Sequence, residues 1–127
     1  PPSYYANVLA KKIDEFNPGL WMINTGWTGG PHGVGHRIRI PLTRAMLNAA
    51  LAGDLDDAEY VEDPVFGIQV PRAIPGVPAE ILDPRQTWED KAAFDEQAKR
   101  LAGMFRENFA QYEDGTAPGV TEAGPRI

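Results

Sequence analysis

"NTGWTGGPHGVGHRIRI", Asn24 to Ile40, places five glycines, two histidines and two arginines within seventeen residues. Glycine loses more backbone freedom on ordering than any other residue, so this stretch is a poor candidate for regular helix. It lies between a short apolar run, Leu20 to Ile23, and an apolar helical pattern opening near Pro41. The fold must therefore be built around a long, glycine-rich connection. Such a connection can cradle a phosphate, help hold a metal, or simply join two elements.

The flanking sequence reads as α/β. Tyr5, Leu9, Ile13 and Phe16 form one apolar helical stripe, with Ser3 as the predicted cap and Asn17-Pro18-Gly19 as the stop. Leu20 to Ile23 is expected to be a buried strand. Pro41 suits a helix's first turn; Leu42, Met46 and Ala50 share one face, Leu47 and Leu51 an adjacent one, and Gly53 ends the helix. Asp54, Asp56, Asp57 and Glu59 read as a solvated connection. Glu59 to Val61 and Phe66 to Val70 are strand candidates around Asp63-Pro64. The four prolines between Pro71 and Arg85 predict an extended, irregular course. Thr87 and Asp90 have the spacing of a capping box ahead of a long amphipathic helix through Phe94, Leu101, Phe105, Phe109 and Tyr112.

These signals amount to three main helices, short strands and long Gly/Pro-rich loops. With 127 residues and no internal repeat or dividing linker, the expectation is a single segment, 1–127, able to bury a sizeable core.

A net charge of −6 disfavours non-specific nucleic-acid binding. The local exception is Asn24 to Arg44, which carries Arg37, Arg39 and Arg44 with no carboxylate and so suggests an anion site. Without cysteine, disulfides and thiolate metal sites are excluded. No apolar run approaches the roughly 18 residues of a membrane span, and a soluble, cytoplasmic protein is expected.

Gly30 to Arg37 has the glycine spacing of a nucleoside-triphosphate loop. That motif requires Lys and then Ser or Thr, where this chain has His36 and Arg37. Imidazole is a poor substitute for the phosphate-binding ammonium, and guanidinium cannot ligate magnesium, so the catalytic reading fails on chemistry. His32 and His36 have the i, i+4 spacing of a metal pair on a helix. The glycines oppose a helix, and no nearby Asp, Glu or Cys completes the ligand set. Two readings of the loop stay open. Its glycines serve only backbone turns, or they let a flat ligand approach while Arg37 stacks on it or pairs with its charge. Thr43 can bond such a ligand or merely its own helix. Trp21 and Trp27 read as core or loop-anchoring aromatics, and Arg72 and Arg85 as a solvated face. No nucleophile–base constellation is visible.

Asn24-Thr-Gly-Trp27, Gly35-x-Arg37-Ile38 followed by Thr43-Arg-Ala45, Pro75-Gly-Val-Pro78 and Ile81-Leu-x-Pro-Arg85 occur here in order. Together they resemble the closing third of the ATP-dependent phosphoenolpyruvate carboxykinases, over essentially the whole chain. The resemblance implies a two-lobed α/β enzyme of gluconeogenesis, converting oxaloacetate and ATP to phosphoenolpyruvate, ADP and carbon dioxide. The chain would be a piece of its C-terminal, nucleotide-binding lobe.

The resemblance also implies that magnesium, manganese and the phosphate loop belong to residues upstream of this chain. Within it, Arg37 and Ile38 would flank adenine, Thr43 would complete the contact, and Gly35 and His36 would line the site. His36 departs from the family's usual Lys. Loss of that permanent charge weakens exposed electrostatics by about 1 kcal/mol. The implied partners are an adenine nucleotide and the rest of a carboxykinase polypeptide. The alternative is a stand-alone nucleotide-binding or partner-binding module without catalysis.

Overall fold

Helix α2, Ile40–Ala52, is the centre around which the best-packed part of the molecule forms. Pro41 occupies its first turn, where a missing N–H costs nothing, and Gly53 closes it in the left-handed conformation at φ 80°. Its Ala49 packs with Leu55 and Ile74, and Met46, Ala50, Ala58, Val77 and Leu82 surround that cluster. The computed structural model describes residues 2–117 and 119–127; Pro1 and Pro118 lie outside them.

The chain divides into two compact units: Trp21–Asp63 with Ile68–Ala98, and Pro1–Leu20 with Pro64–Gly67 and Lys99–Ile127. The first of these contains α2 and two small antiparallel sheets. Strands β1, Trp27–Thr28, and β2, His36–Arg37, form one; β3, Tyr60–Glu62, and β4, Gln69–Pro71, form the other. In the second sheet Tyr60 faces Pro71, Val61 faces Val70 and Glu62 faces Gln69.

The proline-rich stretch departs from its expected extended course. Ile74-Pro75-Gly76-Val77 is a tight turn in which the Val77 N–H donates to the Ile74 carbonyl at 3.0 Å. Two short helices follow, α3 at Ala79–Leu82 and α4 at Pro84–Thr87. Pro78 and Pro84 stand at the cap and first position of these helices, where proline's fixed φ assists rather than opposes helix.

Helix α5, Lys91–Ala110, also starts later than the capping-box reading implies. Its cap is Asp90, whose Oδ1 accepts the Ala92 and Ala93 N–H groups at 2.9 and 3.0 Å. Arg85 is not simply a solvated charge: its Nε and Nη2 clamp the Asp95 carboxylate at 2.8 and 2.9 Å, tying α4 to the first turns of α5. That bond, above all, holds the guanidinium pKa above its ordinary value.

In the other unit, α1 spans Pro2–Phe16, so Ser3 lies inside the helix rather than capping it. Asn17 stops it, with φ 43° and its N–H donating to the Ile13 carbonyl at 2.8 Å. Phe66 meets Phe105 edge-on at 6.0 Å, and the Arg126 N–H donates to the Val65 carbonyl at 2.7 Å.

The expected buried strand does not form. Leu20–Ile23 is not a strand among the described residues, and Met22 is 90% exposed. A buried strand needs ladder partners and apolar cover, and no described segment supplies the ladder. On α2 the Leu42–Met46–Ala50 face is half-buried, with Met46 and Ala50 packed against the Ala49 cluster, whereas Leu51 is 77% exposed. The core is correspondingly smaller than the chain's length allows.

Truncating Leu55, which is 3% exposed, removes a side chain from the Ala49–Ile74 cluster. Leu55→Ala is expected to cost about 2–5 kcal/mol in urea unfolding, and Leu51→Ala about 0.5 kcal/mol or less. Similar losses at both sites would contradict this packing.

The Tyr60 hydroxyl donates to the Leu55 carbonyl. Burial first, and the Asp56 carboxylate second, raise its pKa above the usual tyrosine value. The folded state thus favours the protonated phenol. Its contribution is full below the unfolded value of about 10 and is lost as pH rises through the folded one. The stability gap between the unaltered chain and Tyr60→Phe should therefore narrow above about pH 10; a constant gap in denaturation at pH 8 and 10.5 would refute this.

Candidate functional site

The glycine-rich connection is a hairpin. Trp27 pairs with Arg37 and Thr28 with His36 across β1 and β2. Between them, the Pro31 carbonyl accepts the Val34 and Gly35 N–H groups at 3.0 and 2.9 Å. The backbone closes so tightly that a Cβ at Gly35 would lie 2.6 Å from the Gly30 carbonyl oxygen and 2.7 Å from that of Thr28. Real Cβ atoms do not approach backbone oxygen that closely, so glycine is required there. The topology also disposes of the phosphate-loop reading, because that loop runs from strand directly into helix. This one returns to a strand.

The hairpin is pinned from outside by Thr87, at the end of α4. The Thr87 hydroxyl donates to the Pro84 carbonyl at 2.7 Å and accepts the Gly29 N–H at 3.0 Å. Its single proton being used, the 2.8 Å contact with the Thr28 hydroxyl must have Thr28 as donor. Thr28 is only 5% exposed, the one buried polar side chain among the described residues. The local sequence offers only a cap at Thr87; its contacts with the loop, more than fifty positions away, carry no local signal.

Alternation along the returning strand sorts the side chains. Ile38, 7% exposed, faces inward, and its N–H donates to the Gly26 carbonyl at 3.0 Å. Arg37 and Arg39 are exposed on either side of it. The Arg37 guanidinium carbon lies 6.0 Å from the Trp27 ring centre, and the His32 ring lies 6.1 Å from the same indole. The His36 imidazole covers Gly29, where an added Cβ would meet it at 3.0 Å.

No acidic side chain among the described residues pairs with Arg37, Arg39 or Arg44. The acid-free stretch is therefore an unneutralised cationic surface. Thr43, in the first turns of α2, is half-buried; its hydroxyl makes no hydrogen bond among the described residues, so the bond to its own helix does not form. The fold thus places His36 and Arg37 on β2, with Gly35 and Ile38 immediately on either side of it. Among the described residues no hydrogen bond or ring contact links them to Thr43. No group of three or more His, Asp or Glu side chains among the described residues is placed to hold a metal ion. No described helix is long and apolar enough to cross a membrane.

A family model for phosphoenolpyruvate carboxykinase, of the ATP-dependent type, matches residues 1–80. The chain is 54% identical to the phosphoenolpyruvate carboxykinase (ATP) of Thermus thermophilus over 98% of its length. It is 50% identical to that of Rubrobacter xylanophilus over 100%, and 52% identical to one from Moorella thermoacetica over 97%. It spans about a quarter of the length of these curated relatives, 24%, 24% and 23% respectively.

Thr87→Val keeps the shape of the side chain and strands the Gly29 N–H and the buried Thr28 hydroxyl. The expected cost is about 1–3 kcal/mol, with faster hydrogen exchange at Gly29. Thr87→Ser should retain most of both. Unchanged Gly29 exchange in Thr87→Val would show that the loop is held by something else.

Proposed function

Because the chain belongs to the ATP-dependent phosphoenolpyruvate carboxykinase family, we propose that it supplies the adenine side of that family's nucleotide site. The observation that carries the reading is the exposed, unneutralised Arg37 on a strand that glycine and Thr87 hold in a fixed path. Arg37 offers a planar cation to stack on a purine or meet its charge. Ile38, with its side chain buried, holds the strand and offers its main chain. Thr43 offers a hydroxyl with no competing partner, and Gly35 and His36 line the approach.

On this reading the chain is part of the C-terminal lobe of a two-lobed cytoplasmic enzyme. That enzyme converts oxaloacetate and ATP to phosphoenolpyruvate, ADP and carbon dioxide in gluconeogenesis. Phosphoryl transfer is mostly positioning and charge stabilisation by metal and phosphate clamps. Those clamps, with magnesium and manganese, would come from the rest of the polypeptide. The exposed apolar side chains of Met22, Ile40 and Leu51 support a docking role toward such a remainder.

Calorimetric titration of the chain with ATP should give weak binding. Arg37→Ala should weaken it by roughly 5- to 30-fold, equivalent to about 1–2 kcal/mol. With ATP, manganese and oxaloacetate the chain alone should show no turnover. Turnover that Arg37→Ala abolishes would overturn the division of labour, and unchanged ATP affinity in Arg37→Ala would overturn the site.

A further inference from the structure

We infer that Trp27 is the positioning residue for Arg37: its indole face holds the guanidinium at the mouth of the hairpin, ready for a nucleotide base. The inference rests on the nucleotide reading of Arg37. Trp27 and Arg37 are directly opposed across the two-stranded ladder, where side chains on the same face are neighbours. The guanidinium carbon is 6.0 Å from the ring centre, within reach of a cation–π contact.

Arginine has many accessible rotamers, and ordering it on binding has an entropic cost. In most sites a carboxylate fixes the side chain. Here Asn24 to Arg44 contains no carboxylate, and Arg37 has no ion pair among the described residues. The indole is the partner that restrains it. An aromatic restraint has a second consequence: it leaves the positive charge unneutralised, whereas an Asp or Glu would cancel it. The guanidinium can then serve an electron-rich ring or an anion.

Anchoring the loop through His32 does not account for all of Trp27's placement. Trp27 is 48% exposed, and Thr87 already fixes the hairpin through Gly29 and Thr28.

The test compares the whole chain with Trp27→Leu, Trp27→Tyr, Arg37→Ala and the Trp27→Leu/Arg37→Ala double variant. ATP affinity is measured by calorimetry and the Arg37 Nε–Hε resonance by nitrogen-15 NMR. Leucine keeps apolar bulk without a π face, and tyrosine keeps the face. Trp27→Leu should weaken ATP about two- to fivefold and shift the Arg37 resonance as ring current is lost. Trp27→Tyr should stay within about twofold, and the double variant should bind no more weakly than Arg37→Ala alone. The Gly29 amide exchange rate reports whether the hairpin survives each change.

Weaker binding in Arg37→Ala, with Trp27→Leu matching the unaltered chain, overturns the inference alone. So does equal rescue by Leu and Tyr, or an additive double variant. No ATP binding by the unaltered chain, or no effect of Arg37→Ala, overturns the nucleotide reading and this inference with it.

Discussion

The Thr87 hydroxyl carries three hydrogen bonds, and the course of the glycine-rich hairpin depends on them. A loop with this much glycine has no intrinsic preference for one conformation. Its ordering must be supplied by contacts that the sequence around it does not contain. Thr87 supplies them from α4 by giving its proton to Pro84 and accepting from Gly29 and Thr28. The Arg85–Asp95 clamp steadies α4 in turn against the first turns of α5. The position of a loop at one end of the unit is thus tied, bond by bond, to a helix some sixty residues later.

Glycine at position 35 serves the same end by a different route. Backbone oxygens of Thr28 and Gly30 occupy the space a side chain would take, so the two limbs close into a ladder only two residues long. That ladder puts Arg37 opposite Trp27 and turns Ile38 inward. The flexible composition of the segment and the fixed position of Arg37 are compatible because the restraints are few and specific.

What could be read from residue order was governed by local physics. The stop at Asn17, Pro41 in the first turn of α2 and the left-handed close at Gly53 each follow from a few neighbouring residues; the expected strand at Phe66–Val70 forms only as β4, Gln69–Pro71, with Phe66 in a turn. Misreadings arose where one local signal had two structural uses. Pro78 and Pro84 predict an extended, irregular course because they cannot donate to a ladder, yet proline at a helix's first turn is favourable. Thr87 and Asp90 have the spacing of one cap, but Asp90 caps α5 while Thr87 turns to the loop. In the site, Arg37, Ile38 and Thr43 came from resemblance to a family; composition alone went no further than an anion-friendly loop. Trp27 meets the His32 ring within its own loop, as a loop-anchoring aromatic should, while the cross-strand register that also gives it Arg37 as a neighbour depends on how the loop closes.

The apolar run Leu20–Ile23 carries the argument one step further. It has a strand's composition without a strand's partners, and an isolated strand is unstable when its backbone groups and apolar side chains face water. The same is true of α1, none of whose side chains is buried. The chain spans about a quarter of the length of its relatives. The hairpin differs from these two segments in kind. Its contacts are complete within the chain: Thr28 is satisfied, Gly35 is closed upon, and Ile38 is buried. The hairpin's path is thus determined within the chain, while Leu20–Ile23 and α1 leave apolar side chains exposed.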